Sequence, residues 1–311
     1  MVIRNFDKLI KKVQNLEDKK RVAVVAANDE HTLEAVFKAM DKNIILPVLI
    51  GNAVKIKEIL RKNTMRIEKV LNKIDENLDE KYIIDAKDDT DAAYKAVELV
   101  NKGEVDFIMK GKIQTADLLK AVVDKEKGLR TGNVMSHFVI NEIPTYHKLL
   151  VTTDGGMMMY PDLDEKKQIL ENAVNTLLAI GYEKPKVAVL AAVEKVNEKM
   201  PETIDAVRLK EMNESGDIKN CIVEGPISYD LTMSKESAEI KGFESPVTGD
   251  ADILLVPNIT VGNILGKTLV YSADAKMAGF IVGAKVPIVL TSRGSTAEEK
   301  YLSLVLSAAV A

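Results

Sequence analysis

Short, almost continuously apolar runs recur along the chain at residues 22–26, 46–50, 82–84, 105–109, 134–140, 148–151, 187–190, 222–223, 253–256, 280–282 and 288–290. Between them, residues 31–40, 89–102, 116–124, 164–180, 201–212 and 296–311 carry apolar side chains at helical spacing. Strands apolar on both faces, alternating with helices, predict a mainly parallel sheet covered on both sides. Residues 134–151 break the alternation and predict an antiparallel piece where the chain crosses between two domains. The lysine-rich stretch 55–73 reads as the solvated face of a helix.

Composition narrows the class. A chain of 311 residues with 46% apolar and 29% charged residues predicts a folded α/β protein of one large or two ordinary domains. The net charge of -4 gives no global attraction to nucleic acid or an anionic membrane, so neither is expected as a partner, and anionic substrates would need positive charge placed locally. No apolar run approaches the ~18 residues of a membrane span, and residues 1–20 lack a signal-like apolar core. A single cysteine, Cys221, excludes an intrachain disulfide and fits a reducing, cytoplasmic setting; lying in a strand, it reads as a buried structural thiol. Three scattered histidines and one cysteine make no zinc set.

Several motifs dissolve on inspection. The segment from Gly262 to Thr268 looks like a phosphate-binding P-loop, but three residues separate its glycines where four are needed. The first strand is followed by Ala26-Ala27-Asn28-Asp29-Glu30, with no glycine-rich dinucleotide turn, and His31 beyond it reads as structural. Asp88, Asp89 and Asp91 at a helix start read as caps. Met157, Met158 and Met159 fit either core or the wall of an apolar acyl pocket.

Three basic, glycine-flanked loops carry chemistry. Ser292-Arg293-Gly294-Ser295 follows a strand and precedes the last helix, where free N–H groups, a planar cationic fork and a side-chain-free backbone together suit an anion. Lys110-Gly111 with Thr115 forms a second strand-to-helix turn, and Gly128-Leu129-Arg130-Thr131-Gly132 adds another cation. Together the three are expected to converge on one polyanionic ligand. Glu298 and Glu299 satisfy capping-box spacing with Ser295 and Thr296, leaving capping and a catalytic or substrate-orienting role both open.

Taken in order, Met109-Lys110-Gly111, Gly128 to Gly132 with Ser136-His137, Ala192-Val193-Glu194 with Met200-Pro201, Gly225 to Asp230, Ala251 to Asn258 with Gly262-Asn263, and Thr291-Ser292-Arg293 resemble the phosphate acetyltransferase and butyryltransferase family, closest to its butyryl branch. The resemblance covers nearly the whole chain. It implies two three-layer α/β domains with a cleft between them, similar to isocitrate and isopropylmalate dehydrogenases. The expected boundaries are residues 1–146 plus 289–311 for the first domain and 147–288 for the second.

The implied reaction moves an acyl group, butyryl or a similar short or branched chain, reversibly between coenzyme A and inorganic phosphate. Direct transfer in a ternary complex is expected, with no permanently bound cofactor and no metal. An acetyl-CoA enzyme is the alternative. Two further rivals are a metal-dependent dehydrogenase on the same scaffold, which would need several aspartates and a nucleotide loop, and a non-catalytic acyl-CoA-binding protein. The resemblance implies Arg293 and Arg130 on phosphate and oxyanion charge, Ser292 on the reacting group, Lys110 as a supporting cation, and Asn263 on a carbonyl or phosphate. Gly111, Thr115, Ser136 and Gly294 complete the expected binding set. In the acetyl branch an Asp after the Ser-Arg pair serves as the base for the thiol; Glu298 and Glu299 occupy that region here. A homo-oligomer is expected, with the apolar helix at 302–311 as interface or core.

Overall fold

The computed structural model describes residues 3–62, 82–291 and 294–311. The described elements begin with α1 (Phe6–Gln14), β1 (Lys20–Val25), α2 (Glu30–Asp41), β2 (Ile45–Gly51), α3 (Ala53–Lys62), β3 (Ile83–Asp85), α4 (Asp89–Asn101), β4 (Phe107–Lys110) and α5 (Thr115–Val122). There follow β5 (Ser136–Glu142), β6 (Leu150–Thr153), α6 (Leu163–Ala179), β7 (Lys186–Leu190), α7 (Pro201–Glu214), β8 (Ile222–Ile227), α8 (Tyr229–Met233) and α9 (Lys235–Lys241). The chain closes with β9 (Ile253–Leu255), α10 (Ile259–Ser272), β10 (Lys276–Val282), β11 (Ile288–Val289) and α11 (Ala297–Val310).

Two compact units divide the chain: Asp7–Asn133 with Ala278–Ala311, and Val134–Met277 with the residues up to Phe6. In the first unit the strand order is β3-β2-β1-β4-β11-β10. All neighbours are parallel except β10, which runs antiparallel to β11. In the second the order is β5-β6-β9-β7-β8, parallel apart from β5. The predicted mixed α/β architecture and the antiparallel middle piece are both present. The sequence-based boundaries, after residue 146 and before 289, differ from these units. The reason is pairing: β5 is tied to β6, and β10 from Ala278 on is tied to β11.

Local chemistry explains the elements. The side chains of β1 from Val22 to Val25 are fully buried, as a parallel strand sandwiched by helices requires. Helix α4 buries Ala92, Ala93, Ala96, Val97 and Val100, and Asp88 caps it by accepting the Asp91 N–H at 2.8 Å. Asp162 and Glu165 form a reciprocal capping box on α6. Helix α11 is buried nearly all round, from Lys300 to Ala308, so the apolar C-terminal segment is core. The solvated-helix reading of 55–73 is met by α3 as far as Lys62; the rest of that stretch lies outside the described residues.

Four of the described helices are not read from the sequence: α1, the short α8 and α9, and α10. Helix α1 buries Phe6, Leu9 and Val13 along one face of a charged segment. The P-loop lookalike is part of α10, where Gly262 and Gly266 are ordinary helical positions.

At the amino-terminal ends of β6, β7 and β9 lies an ion network. Lys148, 8% exposed, reaches Asp252 at 2.7 Å and Asp250 at 3.0 Å. Lys186 and His147 also bind Asp250, and the Lys186 N–H donates to Asp252 at 2.8 Å.

Candidate active site

In open parallel sheets, ligands bind beyond the carboxyl ends of the strands. In the first unit, β1, β4 and β11 are neighbours, with Val25 opposite Lys110 and Val289 opposite Met109. Their carboxyl ends therefore bring Lys110 beside the chain that leaves β11 toward α11. Ser292 and Arg293, on that chain, lie outside the described residues. Gly294 is exposed, and a Cβ there would meet no described atom within 4 Å, so the fold itself has room for a side chain at that position. Lys110 is buried, with its Nζ 3.4 Å from the Gly111 carbonyl.

Gly111 has a packing reason. A Cβ there would sit 2.5 Å from the Ala26 carbonyl oxygen and 2.6 Å from that of Val25. The glycine lets the exit of β4 run against the exit of β1, with the Gly111 and Lys112 N–H groups donating to Val25 and Ala26. Thr115 is exposed at the first position of α5, where the N-cap Gln114 makes no side-chain cap.

The two glutamates separate. Thr296 caps α11 by accepting the Glu299 N–H at 3.1 Å, while the Glu299 carboxylate accepts from the Ser295 hydroxyl at 2.6 Å. Burial pushes the Glu299 carboxyl above its ordinary value, with the Ser295 hydrogen bond opposing. Glu298 is exposed. Glu299 is thus a half-buried carboxyl on the first turn of α11.

Arg130 does not join them. It bridges Ala284, in the turn that precedes β11, and its neighbours are tied there by the Lys285 N–H to the Leu129 carbonyl and the Thr131 hydroxyl to the Gly283 carbonyl. Helix α5 has carried the chain back to the amino-terminal edge of the sheet, so Arg130 and Lys110 mark opposite edges of one unit. The expected convergence of three basic loops is not seen among the described residues of this unit, where Lys110 and Arg130 lie at different edges and Ser292 and Arg293 are not described. The same amino-terminal edge carries a cavity of about 720 Å³ lined by Lys20, Arg21, Leu46 and Asp106, away from the edge where parallel sheets bind ligands.

In the second unit, Ser136 is 0% exposed and its hydroxyl hydrogen-bonds the Asn172 amide at 3.0 Å. It anchors β5 to α6 and offers no surface to a ligand. Asn263 is exposed on the first turn of α10, its amide 3.5 Å from the Gly155 carbonyl. The loop between β6 and α6 is fixed by a residue the sequence reading did not single out. The buried Asp154 carboxylate accepts the N–H groups of Gly156, Met157 and Met158 at 2.7–3.1 Å. Gly155 and Gly262 lie in backbone contact; a Cβ on Gly262 would be 2.6 Å from the Gly155 Cα. Opposite Asp154, burial pushes the His137 imidazole down, with the Asp154 charge pulling the other way. Met157 and Met158 are half-buried and Met159 is exposed. Cys221 is 3% exposed, and burial pushes its thiol up to about 11, which fits a structural role. Among the described residues, no group of three or more His, Cys, Asp or Glu side chains is arranged as a metal ligand set, and no helix is long and apolar enough to cross a membrane.

Residues 5–308 match the family model described as "Phosphate acetyl/butaryl transferase". The chain is 44% identical to a phosphate acetyltransferase of Thermotoga maritima, covering 94% of this chain and 95% of that one. It is 43% identical to a phosphate butyryltransferase of Clostridium acetobutylicum, covering 100% and 99%. The crystal structure of a branched-chain phosphotransacylase from Enterococcus faecalis superposes with a TM-score of 0.79 at 33% identity, covering 94% of this chain and 99% of that one. The chain belongs to the phosphate acetyl/butyryl transferase family.

Proposed function

We propose that the protein transfers a butyryl or similar short or branched acyl group, reversibly, between coenzyme A and inorganic phosphate, directly within a ternary complex. The observation that supports the reading is buried Lys110 at the carboxyl end of β4, beside β11, with the half-buried Glu299 on the first turn of the helix that follows β11. In the phosphate-acylating direction a phosphate oxygen attacks the thioester carbonyl, a tetrahedral oxyanion forms, and the thiolate leaves and takes a proton. Arg293 holds the phosphate dianion with its planar fork, Ser292 hydrogen-bonds the reacting group, and Lys110 offsets the accumulating negative charge. In the reverse direction Glu299 accepts the thiol proton; an ordinary thiol pKa of roughly 8.5 makes such a base useful.

The butyryl reading draws on the full-length likeness to the Clostridium enzyme, on the branched-chain name of the Enterococcus structure, and on the partly buried methionines of the 154–162 loop. Acetyl transfer is the second reading, favoured by the equal likeness to the Thermotoga enzyme. Phosphorus NMR tests the reaction. An acyl phosphate signal is expected only when acyl-CoA and phosphate are both present, with no stoichiometric release of CoA before phosphate is added. A phosphate-independent burst of one CoA per chain would contradict direct transfer and point to an acyl-enzyme.

A further inference from the structure

The loop that follows β1 carries features that the fold alone does not require. Ala26 is held at a φ of 53°, a left-handed conformation that an L-residue adopts at a cost. This turn lets the Asn28 N–H fold back onto the Ala26 carbonyl at 2.7 Å. The Asn28 side-chain oxygen is sealed from solvent and accepts from no donor. It lies against Gly51 at the end of β2, where a Cβ would be 2.7 Å away. The residue as a whole is half-buried, so the amide nitrogen, which donates to no described group, is the end that faces outward. The Gly111 and Lys112 N–H groups bind the Val25 and Ala26 carbonyls. Asn28 therefore stands two residues beyond the backbone contact that also fixes Lys110. Sealed, unpaired polar atoms and strained backbone persist where something else is gained, most often at functional sites.

We propose that Asn28 is a further substrate-contacting residue, whose side-chain N–H donates to an oxygen of the transferring group: a phosphate oxygen or the thioester carbonyl oxygen as it becomes an oxyanion. The assignment rests on the reading that the carboxyl edge of β1, β4 and β11 is the reacting centre. A neutral, fixed donor at that edge complements the cations, because it aims a hydrogen bond without needing a counterion. Gly51 and Gly111 then have a shared purpose: they let the exits of β2 and β4 pack against the β1 loop and so fix the amide.

The test is steady-state kinetics on Asn28→Ala and Asn28→Asp with melting curves alongside. The Ala variant is expected to lose about 10–100-fold in kcat/KM, the range for one charge-assisted hydrogen bond. Its melting temperature is expected to stay level or rise, since the unpaired oxygen is removed. The Asp variant is expected to be slower still, because a carboxylate repels the phosphate. A raised KM for phosphate identifies phosphate as the acceptor, and a lowered kcat with both KM values unchanged identifies the carbonyl; either supports the donor. Wild-type kinetics in Asn28→Ala, full activity in Asn28→Asp, or a lowered melting temperature with normal kinetics would overturn it. Lys110→Met separates this from the underlying reading. A normal rate in that variant sinks the placement of the reacting centre, whereas a slow Lys110→Met beside a normal Asn28→Ala sinks only the Asn28 assignment.

Discussion

Arg293→Ala is expected to lower kcat/KM by more than about 100-fold while leaving the fold intact. The reason is electrostatic. The transition state sets an oxyanion next to a phosphate dianion, and in the proposed mechanism Arg293 is the cation that offsets both. The chain as a whole has a net charge of -4, so it offers no diffuse positive field to replace a missing guanidinium. Arg293→Lys is expected to recover only part of the rate, because an ammonium supplies the charge without the planar two-pronged fork. Circular dichroism and a melting curve distinguish loss of chemistry from loss of folding. An Arg293→Ala enzyme with near wild-type turnover would remove this residue from the mechanism.

The largest stability effect is expected in the second unit. Lys148→Met leaves Asp252, 6% exposed, without its 2.7 Å ion-pair partner, so the variant is expected to lose about 3–5 kcal/mol in denaturant unfolding. The double variant Lys148→Met, Asp252→Leu is expected to regain part of this. It stops short of full recovery because the Lys186 N–H then loses its acceptor. The same network predicts acid lability. Burial pushes the Asp250 carboxyl up, but Lys186, His147 and Lys148 together outweigh it and hold the group below the usual carboxylate range. A carboxyl depressed on folding adds stability at pH values above its unfolded pKa of about 3.9. That contribution is lost as the pH falls through the folded value. The wild type should therefore destabilise steeply below about pH 4, and Asp250→Asn should flatten that limb. A Lys148→Met protein within about 1 kcal/mol of wild type would show that the network is neutral.

Much of the fold was legible because parallel strands announce themselves. Runs such as 22–26 and 105–109 are apolar on both faces, and β1 and β4 lie there. Helix α10 was not legible. It is apolar almost all round with only Gly262 and Leu269 buried, so it has no amphipathic stripe to mark it. Helix α1 hid for the opposite reason, its three buried side chains scattered among lysines.

The site divided in the same way. Lys110 closes a parallel strand, and a residue at that point falls on the edge where such sheets bind ligands. Arg130 follows a helix, and only the three-dimensional return of α5 shows that it lands on the other edge. Spacing does not distinguish Glu298 from Glu299, whereas the fold does: the first is exposed and the second half-buried. Ser136 illustrates a limit of motif reading, since a serine beside a histidine looks the same on paper whether its hydroxyl faces a ligand or, as here, Asn172.

The most direct test of the account is kcat/KM for phosphate-dependent release of CoA, measured on one preparation with acetyl-, propionyl-, butyryl- and isobutyryl-CoA. The account expects release that requires phosphate for every substrate and is most efficient with butyryl- or isobutyryl-CoA. A clear preference for acetyl-CoA would contradict the butyryl assignment, and no phosphate-dependent release with any of the four would contradict acyl transfer to phosphate itself.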